Sequence, residues 1–333
     1  MNVMGLKEYV LKRIVYTLIL IIAVITVNFL IFSMMPGDPM TQFVSSLKVR
    51  IDPERYQALK HSFGLDKPLH ERYFITMKNL ITFNFGISWV SGQPIVNDII
   101  IPLINTLILM GTAEVISIAI GVLLGVMAAK KRDTAFDTTL VTGSLVTYSV
   151  PIFFVGWIMM FIFAVQLHWL PMSGATPMSW GRTPPTNILV YIAGRLQCIA
   201  LPAITLILFT AGGWILLTRA CVLETITEDY VVTARAKGLK ERAVLYKHVL
   251  KNASLPLITN IALAFGFLIG GAIITETLFS YNGMGLLTWN AIYPIPNLPM
   301  LQALFYIYAL VVIIMNFIAD LLYGVVDPRI KYG

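Results

Sequence analysis

Residues 230–240 read YVVTARAKGLK, a short basic segment that lies between two long apolar stretches. A chain that crosses a membrane several times rarely needs helical structure in one of its loops. Here small residues, a glycine and a second helical stretch follow one another. The segment therefore predicts a helical element at the membrane surface to which another protein can bind. We call residues 223–255 the basic loop.

The first helix of the basic loop has signals at both ends. Thr227 is predicted to be its N-cap, and Glu228 and Asp229 suit the positive end of a helix. Lys237 suits the negative end, and Gly238 can adopt the left-handed conformation that follows a helix. The sequence therefore predicts a short helix that ends at this glycine.

A second helix is predicted over 240–250. Asn252, Ser254 and Pro256 are expected to end it and to begin the next apolar helix. The sequence alone leaves two interpretations of the pair of helices. It either anchors the loop as an amphipathic interfacial segment or docks a cytoplasmic partner.

The docking interpretation depends on four side chains. Ala234 and Ala236 would leave room for close approach, while Arg235 and Lys237 would offer charge complementarity. We therefore take this segment as the first candidate functional site.

Composition fixes the fold class. The 333 residues are 57% hydrophobic and 12% charged, with a mean hydropathy of +0.79. Soluble domains carry about 25% charged residues, and several apolar runs here reach the roughly 20 residues that span a bilayer. We predict an all-α polytopic membrane protein with six transmembrane helices. The predicted spans are 14–34, 102–129, 138–167 (with a kink at Pro151), 199–222, 256–279 and 299–323.

Three regions follow from these spans. Residues 1–35 form an N-terminal segment and the first span, and 36–101 form a small extracytoplasmic cap. Residues 102–333 form a core of five spans, with the basic loop between spans four and five. Lys and Arg concentrate at the N-terminus, at 130–132, in the basic loop and at the C-terminus. Once the long first outer loop is discounted, only Arg182 and Arg195 oppose this bias, so both termini are predicted to be cytoplasmic.

Motifs along nearly the whole chain resemble the permeases of ABC importers, most closely the oligopeptide and dipeptide branch. Two of them, TARAKGL at 233–239 and KHVLKNA at 247–253, look like the loop that contacts the ATPase. The others are MPGDP at 35–39, FGLDKPL at 63–69, FG at 85–86, YSVP at 148–151, WLP at 169–171, ETLF at 276–279, GMG at 283–285 and DPRI at 327–330. The sequence departs from the branch at Val232 and Leu286, where arginine is usual, and at Asn282, where proline is usual.

The resemblance implies a multi-chain machine in the cell membrane. The expected partners are a second homologous permease subunit, two cytoplasmic ABC ATPases, an extracytoplasmic solute-binding protein and lipid, with no nucleic acid. ATP and Mg²⁺ are expected on the ATPases, and no cofactor on this chain, because the sequence contains no Gly-x-x-x-x-Gly-Lys-Ser/Thr phosphate loop. The implied contact residues are Tyr230, Thr233, Ala234, Arg235, Ala236, Lys237, Gly238 and Leu239.

Two acidic residues inside the apolar runs are candidates for the transport pathway. Glu114 lies near the middle of the second span, where it either serves the pathway or hydrogen-bonds a neighbouring helix. Glu276 lies near the outer end of the fifth span and could face the pathway mouth. No nucleophile and base are arranged for catalysis, and no His or Cys spacing predicts a metal site.

Three classes of function remain in view. The first is an importer subunit for short peptides, with oligosaccharides or metal chelates as alternative cargo. The second is an ion-coupled secondary transporter, which the scarcity of charges within the spans disfavours. The third is an intramembrane enzyme, for which no catalytic pair is visible.

Overall fold

The computed structural model describes residues 6–34, 66–181, 183–268, 272–294 and 296–326, with the single positions 52, 54, 57 and 61. The turn at 35–39, much of the predicted cap, Arg182 and the motif at 327–330 lie outside the described residues. The described chain is almost entirely helical, and helices are numbered here in chain order.

Two helices that pack on each other come first among the described residues, and a long third one follows. Helix α1 spans Leu6–Ser33, α2 spans Leu69–Ile81 and α3 spans Ile95–Lys130. The hydroxyl groups of Thr26 on α1 and Tyr73 on α2 lie 2.9 Å apart. Helix α3 has 36 residues and starts at Ile95, before the predicted start of the second span at 102.

The predicted third span is broken rather than kinked. Helix α4 (Ala135–Ser149) ends before Pro151, and α5 (Ile152–Met159) starts after it and runs on as the π-helical turn Met160–Gln166. The two parts meet at 97°. Pro151 disfavours helical geometry at the residue before it, and Val150 is accordingly extended.

The fourth helix is also longer than predicted. Helix α6 spans Ile188–Thr225, has 38 residues and contains Pro202 inside it. The side chain of Asn187 caps its start by accepting a hydrogen bond from Leu189 N. Arg195 consequently lies on α6, although the sequence had placed it in an outer loop. The short helix α7 (Asp229–Ala236) follows.

The second half of the basic loop runs into the next helix without the predicted end. A turn at Glu241–Ala243 and the π-helical stretch Val244–Val249 lead directly into α8 (Leu250–Phe267). Asn252 and Ser254 do not end the helix, and their side chains donate hydrogen bonds to carbonyls of the preceding turn. Pro256 is accommodated with a bend of 49°.

Three helices complete the described chain. Helix α9 spans Ile273–Leu278, α10 spans Met284–Ile292 and α11 spans Leu298–Val326. The predicted fifth span at 256–279 therefore contains two helices, α8 and α9. Helix α11 returns along α1, and Arg13 on α1 pairs with Asp320 on α11 at 2.7 Å.

The number of membrane crossings lies between four and six within the described ranges. Four helices are long and apolar enough to cross a membrane, and the count reaches six if each of two bent pairs is one span. The prediction of an all-α membrane protein is confirmed. The four helices contain the segments Glu8–Ser33, Ile95–Lys130, Ile188–Thr225 and Leu298–Leu321.

Helices α3 and α6 form the central pair and make the most extensive contact between any two described elements. Two glycines on α3 permit this approach. A Cβ at Gly121 would overlap Trp214 of α6, and a Cβ at Gly125 would lie 2.7 Å from the carbonyl oxygen of Ile215. Small residues allow such close helix contact in membranes. The pair runs toward the basic loop, because α6 leads directly into it.

Candidate functional site

Helix α7 lies on the bundle through one apolar face. Val231 is wholly buried and Ala234 is 5% exposed. They belong to a cluster with Val126 of α3, Val222 of α6 and Val244 of the π-helical stretch. Ala234 had been predicted to leave room for a partner, but it faces this cluster and packs against its own chain. It holds α7 on three other elements of the fold.

The start of α7 differs from the prediction by one residue. Glu228, not Thr227, is the N-cap, and its side chain makes no capping hydrogen bond. The hydroxyl of Thr227 instead donates to the carbonyl of Glu224, and the hydroxyl of Thr233 donates to the carbonyl of Asp229. The acidic residue predicted for the first turn, Asp229, is in place.

The end of α7 matches the prediction. Gly238 has a φ of +77°, in the left-handed region, and its N–H donates to the carbonyl of Arg235 over 2.9 Å. A Cβ at this glycine would meet no atom of the described residues within 4 Å. Gly238 is therefore required by its backbone conformation and not by a lack of space.

Arg235 is paired within the loop. Its guanidinium contacts the carboxylate of Glu241 at 2.8 Å, and this hydrogen bond raises the pKa of Arg235 above its usual value. Five further basic residues of the basic loop form no ion pair of this kind within the described part of the chain: Lys237, Lys240, Arg242, Lys247 and Lys251. The unpaired positive charge of the loop therefore lies on these five residues and not on Arg235.

The surface of the loop that faces away from the bundle mixes apolar and basic groups. We call the docking face the exposed side chains of Tyr230, Val232, Ala236, Lys237, Leu239 and Tyr246. Val232 is 57% exposed, Leu239 is 42% and Tyr246 is 52%. Tyr246 also lines an open depression with Lys240 and Arg242. A protein partner could bury the apolar groups and pair with the basic ones.

Glu114 contacts a neighbouring helix. Its Oε1 accepts a hydrogen bond from the indole Nε1 of Trp214 at 2.9 Å, and the residue is 9% exposed. One turn further along α3, Ser117 accepts a hydrogen bond from the hydroxyl of Thr210 at 2.7 Å. These polar contacts lie on the face of α3 that packs against α6.

Glu276 does not line an opening in this structure, because its exposure is 0%. Its carboxylate accepts hydrogen bonds from the hydroxyl of Thr106 and from the backbone N–H groups of Gly285 and Leu286. Two of the motif segments, at 276–279 and 283–285, are thereby brought together, a contact that the sequence did not predict.

The structure reveals polar residues that the sequence analysis had passed over. Arg195 donates one hydrogen bond to Asn105 Oδ1 at 2.7 Å and another to the carbonyl of Ala175 at 2.8 Å. Asp137 on α4 forms a bidentate ion pair with Arg219 on α6, with contacts of 2.6 and 2.7 Å. Asn105 within an apolar run was the available signal, since amides inside spans usually have partners.

No metal site emerges from the part of the chain that the structure describes. Within those residues, no group of three or more His, Cys, Asp or Glu side chains could hold a metal ion. The arrangement can bind a partner at the docking face and transmit force through packed helices.

Known proteins are similar to this chain along nearly its whole length. Residues 121–332 match the family model described as binding-protein-dependent transport system inner membrane component, and residues 6–107 match the model of its N-terminal part. The di/tripeptide transport system permease protein DppB of Pseudomonas aeruginosa is 35% identical over 315 residues, covering 92% of this chain and 93% of that protein.

Two further relatives cover almost the whole chain. The oligopeptide transport system permease protein AppB of Bacillus subtilis is 32% identical, with 98% of this chain and 100% of that protein covered. The dipeptide transport system permease protein DppB of Escherichia coli is 35% identical, with 98% and 99% covered.

Among solved structures, a chain of the inward-facing MetNI methionine ABC transporter matches the fold. The TM-score is 0.55 at 15% sequence identity, and the match covers 69% of this chain and 96% of that chain. At this identity the likeness concerns the fold alone.

Proposed function

The chain belongs to the family of binding-protein-dependent transport system inner membrane components, and from this premise we propose that it forms half of the pathway of an ATP-driven importer of short peptides. Its role is to change between inward and outward openings when separate ATPase subunits move. The permease itself carries no phosphate-binding loop for ATP.

The observation that carries the proposal is the way α7 sits on the bundle. Its buried residues belong to one apolar cluster with residues of α3, α6 and the π-helical stretch, while its opposite face is exposed. A push on α7 is therefore received by several packed helices at once. Packed interfaces of this kind respond by switching between discrete arrangements.

The proposed assembly contains a second homologous permease subunit, two cytoplasmic ATPases that hold ATP and Mg²⁺, and an extracytoplasmic solute-binding protein. The docking face and both termini are proposed to lie in the cytoplasm, because most Lys and Arg outside the long first loop fall on that side. We retain the division into 1–35, an outer cap at 36–101 and a core at 102–333.

The peptide substrate rests on the relatives, whose names describe di/tripeptide, dipeptide and oligopeptide transport. Oligosaccharides and metal chelates are the alternative cargo. An ion-coupled secondary transporter is the alternative of another class, and it would need no ATPase at the docking face.

The test uses the complete transporter, purified through a tag on this chain and reconstituted in liposomes with its solute-binding protein. Uptake of a labelled dipeptide, a tripeptide, maltotriose and a nickel–histidine chelate is measured with and without internal ATP. We expect co-purified ATPases and ATP-dependent uptake of the peptides. Uptake driven by an ion gradient without ATPases would overturn the proposal.

Two substitutions with the same chemistry test the docking face. Val232→Asp places a charge on this face, whereas Val90→Asp places one at a residue that is 73% exposed outside the basic loop. We expect only the first to reduce ATPase co-purification and uptake. Equal effects of the two variants, or none, would show that the ATPases do not bind at the docking face.

A further inference from the structure

A buried carboxylate ties α9 and α10 to α3. Glu276 Oε1 accepts a hydrogen bond from Thr106 Oγ1 at 2.7 Å. Its Oε2 accepts from Gly285 N at 2.7 Å and from Leu286 N at 3.2 Å. We call Glu276, Thr106 and these two N–H groups the carboxylate clasp. It is wholly enclosed, because both side chains have an exposure of 0%.

The carboxylate does the work of an N-cap for α10. The first N–H groups of a helix have no partner within it, and a negative charge at this end is favourable. Gly283 precedes α10 and has no side chain to offer, so the acceptor comes from Glu276 on α9. A Cβ at Gly283 would occupy the position of that carboxylate, and one at Gly285 would lie 2.7 Å from the backbone of Ile273.

Further hydrogen bonds fasten the same segment to α3. Met284 N donates to Thr106 Oγ1 at 2.7 Å, and Asn105 Nδ2 donates to the carbonyl of Asn282 at 2.7 Å. The hydroxyl of Tyr281 donates to the carbonyl of Asn105 at 3.3 Å. Two consecutive residues of α3 therefore hold α9, the connecting turn and the start of α10.

These contacts continue to the docking face through α3 and α6. The two helices are joined by the Glu114–Trp214 hydrogen bond and by the close packing at Gly121. Near the basic loop, Val126 of α3 and Val222 of α6 share one cluster with Val231 of α7. The clasp is thus at one end of a packed series whose other end is the candidate ATPase contact.

We propose that Glu276 is a positioning residue that makes α9 and α10 move as one body with α3, so that movement received at α7 reaches the far half of the pathway. The proposal rests on the proposed importer function. It predicts that loss of the clasp uncouples the transporter, with ATP hydrolysis retained and import reduced. A residue that served folding alone would change the two activities together.

Variants at Thr106 and Glu276 test the clasp, and at Thr106 a hydroxyl can be removed with little change of shape. Thr106→Val removes the donor to Glu276 and the acceptor of Met284 N, while Thr106→Ser retains both. Glu276→Gln keeps an oxygen for the N–H groups of α10, and Glu276→Ala removes every contact of the carboxylate. We expect the Val and Ala variants to lower peptide uptake per ATP hydrolysed by about tenfold. The Ser variant is expected to stay near wild type, and the Gln variant, which keeps one acceptor oxygen but loses the charge, is expected to lie between the Ser and Ala variants.

A distance measurement tests the movement itself. Spin labels at Asn97 on α3 and Asn290 on α10, both exposed, are attached to the complete transporter after Cys198 and Cys221 are replaced by alanine. Distances are compared in the nucleotide-free and vanadate-trapped states. In the wild type we expect the same distance between the labels in both states. In the Thr106→Val variant we expect a second distance to appear in the vanadate-trapped state.

The outcomes separate this proposal from the proposed function. ATP-driven uptake by the labelled wild type tests the function alone. A wild-type distance that differs between the two states would overturn the clasp proposal even when uptake is normal. A Thr106→Val variant with the wild-type distance and the wild-type ratio of uptake to hydrolysis would overturn it as well.

Discussion

Trp214 donates a hydrogen bond from its indole Nε1 to Glu114 Oε1 over 2.9 Å, and this contact joins α6 to α3 inside the bundle. The two residues are separated by 100 positions in the sequence. Trp214 also packs closely against Gly121 of α3. One residue of α6 therefore makes both a polar contact and a close packing contact with α3. The central pair is therefore fixed both in separation and in register.

This contact predicts that Glu114 acts through its oxygen and not by carrying a proton. Glu114→Gln keeps an acceptor for Trp214, so uptake of peptide should stay within about twofold of wild type. Glu114→Ala leaves the indole N–H without a partner and should lower stability by about 1 kcal/mol. Uptake assays and thermal unfolding in detergent measure the two effects. Loss of uptake in the Gln variant, at unchanged stability, would support a proton relay instead.

The packing of α3 on α6 predicts a large penalty for one methyl group. In Gly121→Ala the new Cβ would overlap Trp214, including its backbone carbon at 2.9 Å, so the helices must separate. Overpacking of this kind costs about 1–3 kcal/mol. Gly111→Ala on the same helix is the control, because a Cβ there meets nothing within 4 Å among the residues that the structure describes. Thermal stability in detergent should fall for the first variant only, and equal stabilities would contradict the close contact.

The ion pair between α4 and α6 predicts a second sensitive site. Asp137 is 5% exposed at its side chain, and it accepts two hydrogen bonds from Arg219. Asp137→Asn removes the charge, and Arg219→Lys removes the bidentate geometry. Each variant should lose about 1–3 kcal/mol of stability. Arg132→Lys, at an exposed pair with Asp133, should change stability little. A double variant that is no worse than either single one would confirm that the two residues act together.

Features that depend on neighbouring residues could be predicted from the sequence. The apolar runs predicted the long helices, and Lys237 followed by Gly238 predicted where α7 ends. The left-handed φ of +77° at that glycine agrees with this. Such signals are local because capping and turn conformations involve only a few successive residues.

Features that depend on distant contacts could not be predicted in this way. Pro151 indicated a kink, but the 97° between α4 and α5 exceeds what a proline alone indicates, and Gly156 of α5 packs against Leu278. The carboxylate clasp joins Thr106 and Glu276 across 170 positions. Ala234 was assigned to the surface because its small size suits a docking contact, whereas the same small size suits its buried contact equally well.

The Arg235–Glu241 pair predicts that exchanging the two charges restores function. In Arg235→Glu alone, two acidic side chains would face each other near the docking face, and ATPase association should weaken. The double variant Arg235→Glu, Glu241→Arg re-forms the pair, which is exposed and contributes about 0.2–1 kcal/mol. Co-purification of the ATPases should therefore recover. A double variant as weak as the single one would mean that Arg235 contacts the ATPase directly.

Lys237 is the basic residue of the docking face. Lys237→Glu should lower ATPase co-purification, and the loss should shrink at high ionic strength because exposed charges are screened. Thr227→Glu is the control, since it adds a negative charge to the same loop outside the docking face. An effect of Lys237→Glu that does not depend on salt would indicate that apolar contacts dominate the binding of the ATPase.

Gly238 tests the role of the basic loop, because this position requires glycine for its backbone conformation. A Cβ there meets no atom of the described residues within 4 Å, yet φ is +77°, which costs a non-glycine residue about 1–2 kcal/mol. A β-branched residue is the most strongly disfavoured, whereas asparagine tolerates this conformation. Gly238→Val should therefore reduce ATPase co-purification and peptide uptake while membrane insertion stays normal, and Gly238→Asn should retain most activity. Full uptake by the Val variant would mean that the turn after α7 has no part in docking.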